Sequence, residues 1–323
     1  MQGLSWRRLT SAHSLNLRLT LTSGQVFTWT EDSDGIWRGV IGRDCIFLKY
    51  SDDIKIMKQD VMTPELLKED EPLVKEEDIG VDVLFAHYPS DAPLIKDKLI
   101  DFFQLSTNML NLYSDWATAD SNFEMVIRDP TYHGLRIIRQ DPFECLCSFI
   151  ISQNNHVKRI SSILISIRQK FGEKIPLPDG SSLYTWPSLS ALEAVSEAGW
   201  REMGLGYRAK YYASFTSHLY KLGGVGVLNS FRGRSIEEAR DFLTSFHGVG
   251  RKVADCVALF SLDFAWLVPC DTHVFEISKK YFKKPEKCPN SIQNKFFEIF
   301  GKFAGWAHCV LFAASLRTKR KRS

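Results

Sequence analysis

Hydrophobic and polar positions change period along this chain. From residue 14 to 50 the segments SLNLRLTL, QVFTW, GIWRGVI and CIFLKY alternate or run apolar over short lengths. The turn clusters TSG, EDSDG and GRD separate them, a pattern that predicts an antiparallel meander. VDVLFAHY, 81–88, predicts one more strand for the same sheet. From LIKDKLIDFFQL onward apolar residues recur three and four apart. After about 140 the segments PFECLCSFIISQ, RISSILISIRQKF, IEEARDFLTSF, RKVADCVALFSL, HVFEISKKYF and QNKFFEIFGKFAGWAHCVLFAASLR all read as helices, with no comparable strand signal among them. The expected fold is therefore α+β: an N-terminal antiparallel β-sheet domain with flanking helices over 1–138, then an all-helical domain over 139–317. TPELLKEDEPLVKEED, 63–78, is acidic, has two prolines and predicts a mobile loop.

Composition narrows the class. A chain of 323 residues has room for two core-forming units, and 44% hydrophobic with 24% charged residues is ordinary for a globular protein. No unbroken apolar run approaches the ~20 residues of a membrane span, so no membrane partner is expected. Seven cysteines without a CxxC pair argue against a zinc site and a secreted disulfide framework. A reducing compartment follows. Residues 318–323, TKRKRS, form a basic tail that reads equally as a nuclear import signal or a charged terminus. Nuclear residence is expected. Three arginines and no acid in the first thirty residues leave a mitochondrial pool open, although SLNLRLTL is assigned to the fold as a strand.

Charge is divided unevenly. Residues 1–138 hold 14 Lys+Arg and 22 Asp+Glu, a net −8; residues 139–323 hold 27 and 16, a net +11, and the two sum to the chain's +3. The basic half suits a polyanion. Within it, FHGVGRKVADC places Gly248 and Gly250 between two helices and Lys252 at the start of an apolar one. Glycines there let backbone N–H groups approach a phosphate, and the spacing excludes a Walker A loop. An ordinary helix–helix turn satisfies the same pattern. Lys252 and Cys256 share a face as i and i+4. Nineteen residues after Lys252, Asp271 follows Pro269 and Cys270 and stands where it N-caps HVFEISKKYF. The cap alone accounts for it on pattern.

Together these residues resemble the helix-hairpin-helix DNA glycosylase superfamily, and within it the eukaryotic 8-oxoguanine DNA glycosylase/AP lyases. LTSGQVFTW, RQDPFECLCSFIISQNN, MGLGYRAKY, GVGRKVADC, VPCDTHVF and GWAHCVLF carry the resemblance in order across about 290 residues. Branches with an iron–sulfur cluster need four closely spaced C-terminal cysteines; only Cys288 and Cys309 lie there. The resemblance implies a bifunctional enzyme, without metal or cofactor, acting as a monomer on double-stranded DNA that contains oxidised guanine. Lys252 would attack the deoxyribose C1′ of a flipped-out nucleotide and form an imine, and Asp271 would stabilise the cationic sugar. It further implies that the Gly24 carbonyl accepts from N7–H of the lesion, that Phe312 and Cys256 sandwich the base, and that His308, where glutamine is usual, meets its Watson–Crick edge. On that basis excision is expected to fall as pH drops through about 6.5. Arg159 and Arg208 would read the opposite cytosine, Asn154 would fill the vacated stack and Tyr207 would wedge the neighbouring pair. His273 would pair with an aspartate that Ser315 replaces. Two other classes fit less of this pattern: a non-catalytic helix-hairpin-helix binding module, against which Lys252 and Asp271 argue, and a glycosylase for alkylated bases, which typically lacks the lysine.

Overall fold

A computed structural model describes residues 4–51, 81–89, 94–281 and 288–320, with side chains assigned up to Ser315 except at 280 and 281. The acidic segment 63–78 lies outside the described residues. In chain order the elements are β1 (Arg7–Ser11), α1 (Leu17–Thr22), β2 (Thr30–Glu31), β3 (Trp37–Ile41), β4 (Asp44–Tyr50), β5 (Asp82–Tyr88), α2 (Ile95–Phe102), α3 (Met109–Ala119), α4 (Ser121–Ile127), α5 (Pro142–Ser152) and α6 (Val157–Phe171). A hairpin of β6 (Lys174–Pro176) and β7 (Ser182–Tyr184) follows, then α7 (Leu189–Glu193), α8 (Glu197–Glu202), α9 (Arg208–Lys221) and α10 (Gly226–Asn229). The chain closes with α11 (Ile236–Thr244), α12 (Arg251–Ser261), α13 (Thr272–Tyr281), α14 (Pro289–Phe300) and α15 (Ala304–Arg320).

Five strands make an antiparallel sheet in the order β1-β5-β4-β3-β2. Central β4 is buried on both faces, which is why CIFL reads as an unbroken apolar run. One face packs on α1 and α2 through Leu17, Leu21, Trp29, Ile46, Phe85 and Leu99. The other, through Phe47 and Ala86, meets Leu177 beside the β6–β7 hairpin.

Three expectations are corrected. SLNLRLTL is not a strand: Asn16 Oδ1 accepts from the Leu19 N–H at 2.9 Å and caps helix α1, whose Leu17, Leu19, Thr20 and Leu21 are all buried. A short apolar run buried on several sides has no decisive period, and the cap settles it. QVFTW pairs in no ladder, and only Thr30–Glu31 joins the sheet. Buried glutamines hold this segment instead: Gln25 donates to the Arg136 carbonyl (2.8 Å) and accepts from Ile138 N–H (2.8 Å), while Gln140 donates to the Gln25 carbonyl (2.8 Å). The helical half also contains the β6–β7 hairpin, whose three-residue strands are too short to show alternation.

The helical core gathers α3 to α6, α9, α11, α12, α14 and α15 around Phe149, Trp200, Tyr212, Phe246, Phe296 and Trp306. The single long apolar segment expected near the C-terminus is broken into α14 and α15 at Gly301, whose φ is 63°. By length and hydropathy Pro289–Ser315 resembles a membrane span, yet 56% of its most apolar window is buried within the protein. Gly305 lets α15 seat on the segment before Asp271: its N–H donates to the Ala265 carbonyl at 3.0 Å, and a Cβ would strike the Leu267 carbonyl.

Candidate active site and nucleic-acid interface

Two capped helices set the glycine turn. Ser235 and Glu238 form a reciprocal capping box at the start of α11. After α11, Gly248 takes a left-handed conformation with φ 85°, and a Cβ there would land in the ring of Tyr211. Gly250 then caps α12 with no side chain, so no side-chain bond covers the first N–H groups of that helix. Arg251 and Lys252 are its first two residues.

Lys252 is half-buried, with Nζ 5.7 Å from the centre of the Phe149 ring on α5. Cys256 lies one turn along on the same face of α12. The Lys252 pKa is raised, by the charge of Cys256 first and that of Asp271 after it, against burial, which lowers it. Burial, however, holds the Cys256 thiol up at about 11. Near neutral pH that sulfur is uncharged, and Lys252, an ammonium at its ordinary value, is held more firmly in that form by the charge of Asp271. Asp271 is also the predicted helix cap: Oδ1 accepts from the N–H groups of His273 (3.0 Å) and Val274 (3.1 Å).

α15 supplies the facing wall. His308 is buried within electrostatic reach of Asp271 and Lys252, and desolvation lowers its pKa to about 4. Its Nε2 makes no hydrogen bond, while Nδ1 lies 3.9 Å from the Cys309 sulfur. One turn on, the Phe312 ring stands 5.9 Å from His308 and 6.1 Å from the exposed His273. Lys252, Cys256, Asp271, His273, His308 and Phe312, separated by up to sixty residues in sequence, thus form one cluster. The expected activity loss through pH 6.5 does not suit a His308 held neutral to about 4: burial removes that ring from the physiological range. Ser315 donates to the Phe312 carbonyl within its own helix (2.9 Å).

The residues assigned to the opposite base form a second group. Arg208 is 5% exposed; its guanidinium donates to the carbonyls of Gln153, Asn154 (2.8 Å) and Leu205 (3.4 Å) and stacks on Tyr207 at 4.4 Å. Asn154 adopts φ 46° just after α5. Arg159 donates to the Gly204 carbonyl at 3.0 Å and remains exposed, as does Tyr207. Rings connect this group to the glycine turn: Tyr207 meets Tyr211 at 5.8 Å, and Tyr211 meets His247 at 4.9 Å and lies against Gly248. Gly24 sits in the turn after α1 with φ 86°. No contact ties it directly to Lys252; the link runs through Gln25 to Gln140, whose N–H donates to the Phe260 carbonyl on α12 (2.9 Å).

The sequence did not mark Phe149, one apolar residue among many on α5. Nor did it mark a polar network behind α12 in which Asp255, 1% exposed, pairs with Arg240 (2.7 Å). An acid inside the apolar run VADCVALF was the available signal.

Comparison with known proteins agrees with this fold. Residues 8–146 match the family described as the N-terminal domain of 8-oxoguanine DNA glycosylase. The chain is 31% identical to N-glycosylase/DNA lyase OGG1 of Arabidopsis thaliana, over 98% of this chain and 81% of that protein. It is 29% identical to N-glycosylase/DNA lyase of Saccharomyces cerevisiae, over 94% and 84% respectively. Among solved structures, MBOgg1 in complex with a low-affinity DNA ligand superposes with a TM-score of 0.79 at 26% identity, covering 99% of this chain and 97% of that one. The Clostridium acetobutylicum 8-oxoguanine glycosylase/lyase, solved with duplex DNA holding cytosine opposite 8-oxoguanine, shares the fold with a TM-score of 0.77 at 24% identity, covering 98% of each chain.

Proposed function

This chain belongs to the 8-oxoguanine N-glycosylase/DNA lyase family, and on that premise we propose how its residues perform base release and strand cleavage. It is a bifunctional repair enzyme: it excises 8-oxoguanine opposite cytosine from duplex DNA and cleaves the resulting abasic strand. The observation that carries the assignment is the convergence of Lys252 and Asp271 beside the Phe312–His308 wall.

Base release needs a neutral amine, and the free protein holds Lys252 as an ammonium against Asp271. Insertion of the nucleotide excludes water from the half-buried amine, which favours its neutral form, and the Nζ proton passes to the departing solvent as the site closes. The amine then attacks C1′ as the glycosidic bond breaks; the bonding pair departs with the base, which takes up a proton. Asp271, with Oδ1 engaged as a cap, presents negative charge to the sugar as positive charge develops there. Opening of the C1′–O4′ bond gives the imine on Nζ. Removal of a C2′ proton then sends electrons toward the imine and expels the 3′ phosphate, which cuts the strand. The helix–glycine turn–helix at α11–α12 acts as a helix-hairpin-helix phosphate anchor through its uncapped N–H groups. Neutral His308 offers Nε2 to the base edge, and exposed Arg159, Asn154 and Tyr207 are free to meet the strand opposite, while Arg208, buried against the carbonyls of Gln153, Asn154 and Leu205, holds that loop in place rather than reading a base. One copy of the chain supplies every one of these groups, which supports action as a monomer.

Borohydride tests the assignment. With a duplex carrying 8-oxoguanine opposite cytosine, the wild type should yield one covalently trapped strand per chain, and Lys252→Gln should abolish both trapping and base release. An adduct that persists in Lys252→Gln would remove Lys252 from the chemistry.

A further inference from the structure

Base release depends on how far Asp271 stands from Lys252, and the two ride on different pieces of chain. Lys252 is on α12, while Asp271 ends the segment that leaves α12 and passes through Leu267, Val268 and Pro269. One side chain grips both pieces. Gln293 of α14, 3% exposed, donates through Nε2 to Asp255 Oδ2 on α12 (2.9 Å) and to the Val268 carbonyl (2.8 Å), three residues before Asp271. Its Oε1 accepts from Arg240 (2.9 Å) and from Arg251 (2.9 Å), the residue before Lys252. Both donor hydrogens and both acceptor sites of the carboxamide are therefore engaged. Arg240 also donates to Asp255 Oδ1 (2.7 Å), and Arg251 reaches Asn290.

We propose that Gln293 is a positioning residue: its carboxamide straps the Asp271 segment to the helix of Lys252 and so sets the spacing on which base release depends. This rests on the roles given to Lys252 and Asp271 above. The residue type is demanding. A glutamate has no hydrogen for the Val268 carbonyl and would set a second carboxylate against Asp255. A hydrocarbon leaves Asp255, Val268 and two arginines each short of a partner in a buried site. The other group near the Val268 carbonyl, the Cys270 thiol at 3.4 Å, is a weak donor. Gln293 touches neither reacting group, so its effect should fall on the rate of base release and spare DNA affinity.

The experiment uses the full chain and two variants. Gln293→Met removes the strap. The paired exchange Asp255→Asn with Gln293→Glu keeps the net charge and restores one N–H bond between the two positions, but still offers no hydrogen to the Val268 carbonyl. Competent enzyme is counted by borohydride trapping on a preformed abasic duplex, which needs the lysine alone. Single-turnover release of 8-oxoguanine is then expressed per competent molecule, and affinity is measured on a duplex with a non-cleavable abasic analogue. In both variants the rate should fall at least tenfold with affinity within threefold of wild type. In the paired exchange, thermal stability should recover while the rate stays low. A rate within twofold of wild type in either variant, a rate that recovers with stability, or parallel losses of rate and affinity would overturn the proposal. A wild type that neither traps nor releases the base would instead refute the enzymatic assignment, and the positioning role with it.

Discussion

Replacing His308 by glutamine should change how stability responds to acid, by an amount that follows from burial. The imidazole is held at about 4 against an ordinary 6.5, with desolvation as the dominant cause. The charges facing it oppose each other: Asp271 favours the imidazolium, Lys252 disfavours it. Above pH 6.5 the ring is neutral in folded and unfolded chains alike, and the folded state bears no penalty. Between 6.5 and 4 the unfolded chain takes up a proton that the folded chain refuses, so stability falls by about 1.4 kcal/mol per pH unit. The whole window amounts to about 3 kcal/mol. Glutamine does not titrate. Urea denaturation of wild type and His308→Gln at pH 7.5, 6.5, 5.5 and 5.0 should therefore show the wild type losing about 2 kcal/mol relative to the variant between the first and last points. Other titrating groups, including the buried His133, are common to both proteins and cancel in the difference. The ratio of their single-turnover excision rates should meanwhile stay level through pH 6.5. Parallel stability curves would refute the claim that burial holds the imidazole neutral, and a rate ratio that turns near 6.5 would show a ring in contact with solvent.

Three further predictions concern the nucleic-acid face. Arg208→Ala leaves the Asn154 carbonyl without the guanidinium and strips its bonds from the carbonyls of Gln153 and Leu205, which keep only the Tyr207 hydroxyl and the backbone N–H of residue 208. It should lower unfolding free energy by about 2–4 kcal/mol, whereas exposed Arg159→Ala should shift it by less than about 0.5 kcal/mol; equal thermal shifts would contradict the inward placement of Arg208. If Arg159 reads the opposite cytosine, its loss should narrow the rate gap between lesion:cytosine and lesion:adenine duplexes, while a uniform loss on both with a shallower salt slope would mark a phosphate contact. Gly248→Ala forces a side chain into φ 85° against the Tyr211 ring. It should cost at least about 1–2 kcal/mol of stability and weaken duplex binding; unchanged thermal unfolding and affinity would show that the turn tolerates a Cβ.

How much of this was legible before the structure depended on the range of the physics involved. Strands β3 and β5 and helices α6 and α11 carry a period that local burial enforces, while β4, α5 and α12, buried on nearly all sides, are announced by apolar runs of strand or helix length between turn and cap signals. Helix α1 does not, because LRLTL satisfies a strand period and a helix buried on several sides equally well; the deciding atom is the Asn16 cap. QVFTW fails as a strand for a different reason: its Gln25 amide bonds the backbone of Arg136 and Ile138 and its Gln25 carbonyl accepts from Gln140, a long-range arrangement with no local signature. The site follows the same division. Lys252 and Asp271 stand out because a lysine opening an apolar helix and a capping aspartate are local anomalies, and Cys256 shares the face of Lys252; His308 and Phe312 carry no local mark and are singled out only by the family resemblance.

What spacing cannot supply is the state of those groups once folded. Residues 252, 256, 271 and 308 come from three elements, and only the folded arrangement pushes the Cys256 thiol up, lowers His308 to about 4 and sets the charge of Asp271 to favour the Lys252 ammonium. This reassigns the pH dependence inferred from residue type without reversing its direction: histidine is withdrawn from control, and the proton that must move before chemistry is the one on Lys252. That proton is held by Asp271, whose placement depends on the 266–271 segment, and that segment is fastened at the Val268 carbonyl by Gln293. An amide on α14 thereby joins the protonation of the nucleophile to the packing of α11, α12 and α14. The coupling crosses more than forty residues of sequence, which is why no motif within VPCDTHVF or GVGRKVADC records it.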